Sequence, residues 1–118
     1  MGSLGVIEFK SLIDFEVKRT YFIHSIPEGS ERGSHAHKAL WQLMFAPSGA
    51  FKICLDDGVS FYEFKLENAS QALLIPPGYW RTLRDFSSHA VCVVLASDVY
   101  DESDYIRNYD EFLKWRSS

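Results

Sequence analysis

Two histidines one residue apart, His35 and His37, are the side chains of this sequence best placed to do chemistry. They sit in the run Arg32-Gly33-Ser34-His35-Ala36-His37-Lys38, between two apolar segments, where a β-strand is expected to begin. Alternate residues of a strand share a face, so the two imidazoles project together. A pair of imidazoles on one face suits either metal ligation or proton transfer, because histidine titrates near neutrality.

The elements that must hold this pair read as short strands separated by turn signals, the pattern of an all-β barrel or sandwich. Apolar or β-branched runs predict strands over residues 4–9, 18–24, 40–45, 50–55, 59–66, 72–75, 80–83 and 90–96. Residues 26–33 read as loop by composition, and Pro47-Ser48-Gly49 reads as a turn. Asp56-Asp57-Gly58 is a hairpin signal, since Asp-Gly supplies the positive φ of a tight turn. Pro76-Pro77-Gly78 stops the strand before it, because proline cannot donate to a central ladder. Tyr105, Ile106, Tyr109, Phe112 and Leu113 recur at helical spacing, and a short helix is predicted over 108–115, packed on the barrel. Acids (Asp101, Glu102, Asp104) lie upstream of that segment and bases (Lys114, Arg116) near its end, as a helix dipole favours. No internal repeat or linker divides the chain, so a single domain over 1–118 is expected.

Bulk properties narrow the function classes. The chain has 118 residues, 47% hydrophobic and 15% aromatic, enough for one real core and too apolar for a disordered segment. Its net charge is -4 and no Lys/Arg stripe is visible, which argues against nucleic acid as the main partner. No apolar run approaches the ~20 residues of a membrane span. Charged residues crowd the first twenty positions (Glu8, Lys10, Asp14, Glu16, Lys18, Arg19), so no signal peptide is expected. Cys54 and Cys92 each lie in an apolar run and read as buried free thiols, which suits a reducing compartment. A soluble, cytoplasmic protein is the expectation.

These motifs resemble those of the cupin superfamily, small antiparallel β-barrels with a ligand cavity. The first cupin motif pairs two histidines with a glutamate and ends on a glycine; here His35 and His37 are followed by Gln42 and Gly49. The second runs from proline and glycine to a histidine; here it reads Pro76-Pro77-Gly78-Tyr79-Trp80-Arg81, with Arg81 in the histidine's place. The resemblance implies an all-β, cupin (RmlC-like jelly-roll) antiparallel β-barrel with a short C-terminal helix. The two departures argue against metal. Arginine stays protonated and cannot ligate, and its charge repels a divalent ion. Two imidazoles fall short of the three protein ligands usual for catalytic zinc, or of the facial triad for iron. No metal and no cofactor are expected.

A closer resemblance extends from near Gly2 to about Phe112. The run Arg32 to Lys38, Leu55-Asp56-Asp57-Gly58, Asp85-Phe86-Ser87-Ser88, Val94-Leu95-Ala96-Ser97 and the stretch Tyr100 to Phe112 are similar to the dTDP-4-keto-6-deoxyglucose 3,4-ketoisomerases, the WxcM-like sugar ketoisomerases. That family isomerises a thymidine-diphosphate-linked 4-keto sugar to its 3-keto isomer without metal, and the product feeds an aminotransferase that makes 3-amino-3,6-dideoxy sugars. The resemblance implies a base that takes the C3 proton to give an enediolate and returns a proton to C4. Histidine starts near ~6.5 and suits that task with little tuning.

Carried onto this chain, the family motif makes His35 the leading catalytic base and His37 its neighbour. Tyr21 matches a position whose phenol faces the active site, where it donates to the sugar carbonyl or shuttles a proton. Arg32, Lys38, Arg81 and Arg84 are candidates for the diphosphate, which guanidinium groups bind bidentately. Arg81 is directed toward the cavity, where polarising a sugar oxygen is a second possible role. Trp80 is a candidate to stack on thymine or wall the cavity, and Gln42 to bond a sugar hydroxyl or orient a histidine. Tyr100, Asp101, Asp104, Tyr105 and Arg107 read as a helix and its caps covering a barrel end. The family carries an arginine ahead of Gly2-Ser3-Leu4, where this chain has Met1. An alternative start, a reduced activity or another cation such as Arg81 would each account for that. A homodimer is expected, since barrels of this size pair sheet edges. Two rival functions stand beside the isomerase. One is a non-catalytic nucleotide-sugar-binding cupin module; the other is a metal cupin, disfavoured by Gln42 and Arg81.

Overall fold

A computed structural model describes residues 13–118. The strand expected over 4–9 and the Met1 position lie outside the described residues. The order of elements is β1 (Arg19–Ile23), β2 (Arg32–His37), β3 (Gln42–Ser48), β4 (Phe51–Asp56), β5 (Phe61–Leu66), β6 (Ala72–Ile75), β7 (Trp80–Arg84), β8 (Val91–Ala96), a 3-10 turn (Glu102–Asp104), β9 (Tyr105–Ile106) and α1 (Tyr109–Ser117). The strands form two antiparallel sheets, ordered β1-β8-β3-β6 and β5-β4-β7-β2-β9.

Period-two alternation builds the core between the sheets. Met44, Cys92, Val94 and Ile75 come from the first sheet, and Phe51, Ile53, Leu55 and Leu83 from the second; all are buried in one cluster. Burying each such aliphatic or aromatic side chain contributes roughly 1.5–3 kcal/mol. This is the all-β, jelly-roll barrel expected of a cupin, with one α-helix among the described residues, at the C-terminus. Cys54 and Cys92 are free and buried, as expected. Among the described residues, no helix is long and apolar enough to cross a membrane.

Three local expectations are corrected. First, β2 begins at Arg32, inside the run read as loop, and ends at His37 instead of starting near it. Arg32 pairs with Leu83 and His35 with Arg81, so three steps along β2 match two along β7. Gly33, at φ 79°, supplies the left-handed residue that lets this bulge form. Composition around Gly29 and Gly33 reads as loop because a bulge and a turn use the same residue types. Second, Tyr105 and Ile106 belong to no helix. They pair with His37 and Ala36 as β9 and cover the edge of β2. Third, the helix starts at Tyr109, where the Asn108 side chain accepts from the Glu111 backbone N–H at 3.0 Å, and it runs to Ser117.

Helix α1 backs the histidine strand. Phe112 is fully buried against Ala36 and Ile106, with Trp80, Leu113 and Trp115 packed around them. Ala36 therefore faces the helix while His35 and His37 on either side of it face the barrel interior. A small residue between two histidines is what that packing admits.

Candidate active site

Among the described residues, the fully buried polar side chains are His37, Gln42 and Arg81, each 0% exposed. Both sheets contribute. β2 brings His35 and His37, β7 brings Arg81 directly opposite His35, β3 brings Gln42, and β1 brings Tyr21. Burying so much polarity in one place is costly unless the groups bond one another, and they do so along two chains.

The first chain runs from cation to phenol. The Arg81 guanidinium donates to Gln42 Oε1 and, at 3.1 Å, to the Tyr79 carbonyl. The Gln42 amide then donates to the Tyr21 oxygen at 3.0 Å. With that oxygen accepting, the Tyr21 O–H keeps its own proton to donate. Burial raises the Tyr21 pKa above its ordinary value, so the phenol stays protonated. Burial lowers the Arg81 pKa to about 10, which still leaves it a cation at neutral pH. Its Nε has no partner among the described residues.

The second chain runs through the imidazoles. His35 Nε2 and His37 Nε2 lie 3.1 Å apart, with the rings nearly perpendicular at 89°. His37 Nδ1 lies 3.0 Å from Asp104 Oδ2, and the other oxygen of that carboxylate accepts from the Ala39 backbone N–H at 2.7 Å. The Tyr105 ring packs on both histidines, its centroid 4.9 Å from His35 and 4.3 Å from His37. Burial first, and then the Arg81 charge, push both imidazoles from 6.5 down to about 3. Both rings are neutral at pH 7, the state in which an imidazole can take a proton.

Five residues singled out in the sequence thus converge: His35, His37, Tyr21, Gln42 and Arg81. Four do not. Arg32 is exposed at the far end of β2 and donates to the Glu31 carbonyl at 2.8 Å. Lys38 is exposed just past β2. Trp80 alternates with Arg81 along β7, so its ring lies on the opposite face, packed on Tyr109 and Phe112. Arg84 donates to Glu63 at 2.8 Å on the exposed side of the β4–β5–β7 sheet. Core packing takes Trp80 because alternation allows only one of two neighbours to face the cavity.

Asp104, Tyr105 and Arg19 complete the site without having been singled out for it. Asp104 and Tyr105 read as parts of a helical cap, and only the pairing of β9 with β2 brings them to the histidines. Arg19 stacks over Tyr21 with its guanidinium carbon 5.0 Å from the ring centroid. Strand alternation over Arg19-Thr20-Tyr21 places both side chains on one face, which was the available signal.

Among the described residues, no group of three or more His, Cys, Asp or Glu side chains is arranged to hold a metal ion. In the positions where metal cupins carry a carboxylate and a third imidazole, this site places an amide and a permanent cation. The donor set does not fit a divalent metal.

Comparison with known proteins gives the family of the chain. Residues 1–117 match the family described as FdtA: WxcM-like, C-terminal. The chain is 44% identical over 114 residues to the TDP-4-oxo-6-deoxy-alpha-D-glucose-3,4-oxoisomerase of Aneurinibacillus thermoaerophilus, covering 97% of this chain and 82% of that one. It superposes with a TM-score of 0.93 on a mutant of the 3,4-ketoisomerase QdtA from Thermoanaerobacterium thermosaccharolyticum bound to TDP-4-keto-6-deoxyglucose, at 38% identity over 97% of this chain and 83% of that one. A 3,4-ketoisomerase from Helicobacter canadensis superposes with a TM-score of 0.94, at 41% identity over 99% of this chain and 88% of that one.

Proposed function

Because the chain belongs to the WxcM-like FdtA family of sugar 3,4-ketoisomerases, we propose that it converts a dTDP-4-keto-6-deoxyhexose to the 3-keto isomer through an enediolate, with no metal, in deoxyaminosugar biosynthesis. The observation that carries the mechanism is the pair of neutral imidazoles, Nε2 to Nε2 at 3.1 Å, facing a buried guanidinium across the strand pair.

The reaction moves one proton from C3 to C4 and one from O3 to O4, so nothing is gained or lost overall. The His35–His37 pair takes the C3 proton and delivers a proton to C4, the imidazole N–H exchanging with solvent in between. Tyr21, with its oxygen already accepting from Gln42, donates to the C4 oxygen and shuttles the hydroxyl proton between the two oxygens. Arg81 faces the negative charge that develops on the enediolate, and its burial strengthens that interaction. The same buried cation supports the metal-independent reading, since it raises the cost of placing a divalent ion beside the histidines.

The nucleotide-sugar substrate is carried over from relatives whose structures hold TDP or TDP-4-keto-6-deoxyglucose. Arg32, Lys38 and Trp80 lie away from the histidine pair, so a diphosphate or thymine role for them requires the nucleotide to extend along the surface. A cytoplasmic location is supported by the two free buried thiols. A homodimer is supported by Phe22, Leu74 and Trp41, large apolar side chains left exposed on or beside the β1–β8–β3–β6 sheet.

The test is a proton NMR time course with dTDP-4-keto-6-deoxyglucose in deuterated buffer, run on the wild type and on His35→Asn and His37→Asn. The expected result is conversion to the 3-keto isomer with solvent deuterium incorporated at the exchanging carbon. Each variant is expected to lose about 10²–10⁴-fold in turnover, the usual worth of a general acid–base. Substrate bound but left unconverted by the wild type would establish a binding module instead. Elemental analysis showing a stoichiometric transition metal would overturn the metal-free reading.

A further inference from the structure

We infer that Tyr105 is a positioning residue of this reaction: its ring, braced by the Arg107 guanidinium, packs on both imidazoles and holds His35 in the perpendicular orientation that brings the two Nε2 atoms together. The inference rests on the ketoisomerase reading and deepens it.

The two histidines are not held alike. His37 is fully buried and meets a partner at both nitrogens, Asp104 at 3.0 Å from Nδ1 and His35 at 3.1 Å from Nε2. A ring bonded at both ends is fixed. His35 is half-buried, and among the described residues its one side-chain hydrogen bond is that to His37. A single bond through Nε2 does not fix a ring whose χ2 torsion is intrinsically broad. Its own strand restrains it little. Gly33, two residues earlier, has no side chain to set against it, although a Cβ there would lie 3.8 Å from His35 Cε1. Packing has to supply what hydrogen bonding does not.

That packing comes from β9. Tyr105 is the direct cross-strand partner of His37, so its side chain stands beside that histidine. The Tyr105 ring centroid lies 4.3 Å from that of His37 at an interplanar angle of 61°, and 4.9 Å from that of His35 at 47°. These are separations of aromatic rings in contact, and tilted or edge-on angles are the ones ring quadrupoles favour. Tyr105 thereby ties the loosely bonded ring to the fixed one.

Tyr105 is itself braced. Arg107 sets its guanidinium carbon 4.3 Å from the Tyr105 ring centroid, within cation–π range. That guanidinium donates to both oxygens of Glu102, from Nε at 2.7 Å and from Nη2 at 2.9 Å, a bidentate contact that fixes its plane. The Tyr100 O–H donates to the same carboxylate, and the Tyr100 ring lies 5.5 Å from that of Tyr105. Contacts therefore run from Glu102 through Arg107 and Tyr105 to His35. Each of those made by Tyr105 is made by its ring, so the role does not need the hydroxyl. A misplacement of about 1 Å at a reacting group costs on the order of 10²-fold in rate.

The experiment compares Tyr105→Leu with Tyr105→Phe, by steady-state kinetics on dTDP-4-keto-6-deoxyglucose per folded protein and by nuclear Overhauser contacts among the ring protons. Leucine keeps apolar bulk without the flat ring. Its turnover is expected to fall about 10–100-fold with KM changed less than about threefold, and the contacts between the His35 and His37 rings are expected to weaken. Phenylalanine restores the ring and is expected to bring turnover back to within about threefold of wild type. A Tyr105 that serves only the fold would cost stability and leave turnover per folded molecule and the ring contacts as they were. A leucine variant with wild-type turnover, unchanged ring contacts, a loss confined to KM, or a phenylalanine variant that stays more than about threefold down would each overturn the inference. Should the leucine variant not fold, the phenylalanine variant and the wild type's contacts from the Tyr105 ring to both imidazoles decide: restored turnover with both contacts present sustains the inference, and failure of either overturns it. A wild type that turns over no substrate would sink the isomerase reading, and the ring contacts would still judge whether Tyr105 holds His35.

Discussion

Burial sets the protonation of His35 and His37, and the consequence reaches both activity and stability. Each imidazole moves from 6.5 in the unfolded chain to about 3 in the fold. Between those values the unfolded state binds more protons than the native state, so stability rises with pH across that window. The contribution is complete above 6.5 and is lost as pH falls toward 3. The denaturant midpoint is expected to drop from pH 7 to pH 5, and His37→Asn is expected to flatten that slope. Equilibrium urea unfolding at several pH values measures both. Turnover by the wild type is expected to keep its acid limb well below 6.5, since neither ring charges near that value; an acid limb centred there would mean solvated histidines. Gln42 and Arg81 were legible at this scale because each replaces a specific ligand type within a short motif. Asp104 was not, because it meets His37 across 67 residues of chain and only through the fold.

Two elements aim the histidines, and each can be tested apart from the chemistry. The β2 bulge depends on Gly33 at φ 79°, a conformation side chains rarely adopt, and a Cβ there would meet Leu83 Cδ1 at 3.2 Å. Gly33→Ala is expected to cost about 1 kcal/mol or more in stability. It is also expected to lower turnover more than folding loss explains, because the bulge decides where His35 sits opposite Arg81. Thermal melts beside kinetics on the folded fraction separate the two effects. Behind β2, Phe112 fills the space against Ala36. Phe112→Ala is expected to destabilise by about 3–5 kcal/mol, seen as a lower urea midpoint. The strands with a clear apolar run or alternation, such as β8 and β4, were legible from the sequence to within a residue or two. β9 was not, since two residues carry no periodicity, and Tyr105 and Ile106 happen to fall in phase with the helix that follows.

At the scale of the whole molecule the two sheets are unequal in what they leave outside. The β1–β8–β3–β6 sheet has an apolar inner face, and its outer face carries Leu43, Phe45, Val93 and Leu95, with Ile13, Phe15 and Val17 laid against them. Phe22 beside Val93, and Leu74 beside Leu43, extend that outer row to both sheet edges, and they remain 62% and 40% exposed. The middle of that row is already covered, Leu43 and Leu95 being buried under Ile13, Phe15 and Val17, and its two apolar ends stay open to water. A second copy laid on the same face would cover it by two-fold symmetry, each Phe22 and Leu74 serving both chains. A stable pairing of this kind buries about 1,200 Å² or more in total. The expected solution mass is therefore about twice 13.6 kDa by light scattering. Phe22→Lys with Leu74→Lys is expected to shift the protein toward monomer, because two buried like charges per copy would then oppose each other across the interface. The histidine pair lies on the inner side of the barrel, so a monomeric double variant that keeps its fold by circular dichroism also asks whether turnover needs the second copy. A wild type that scatters as a single chain at micromolar concentration would refute the pairing.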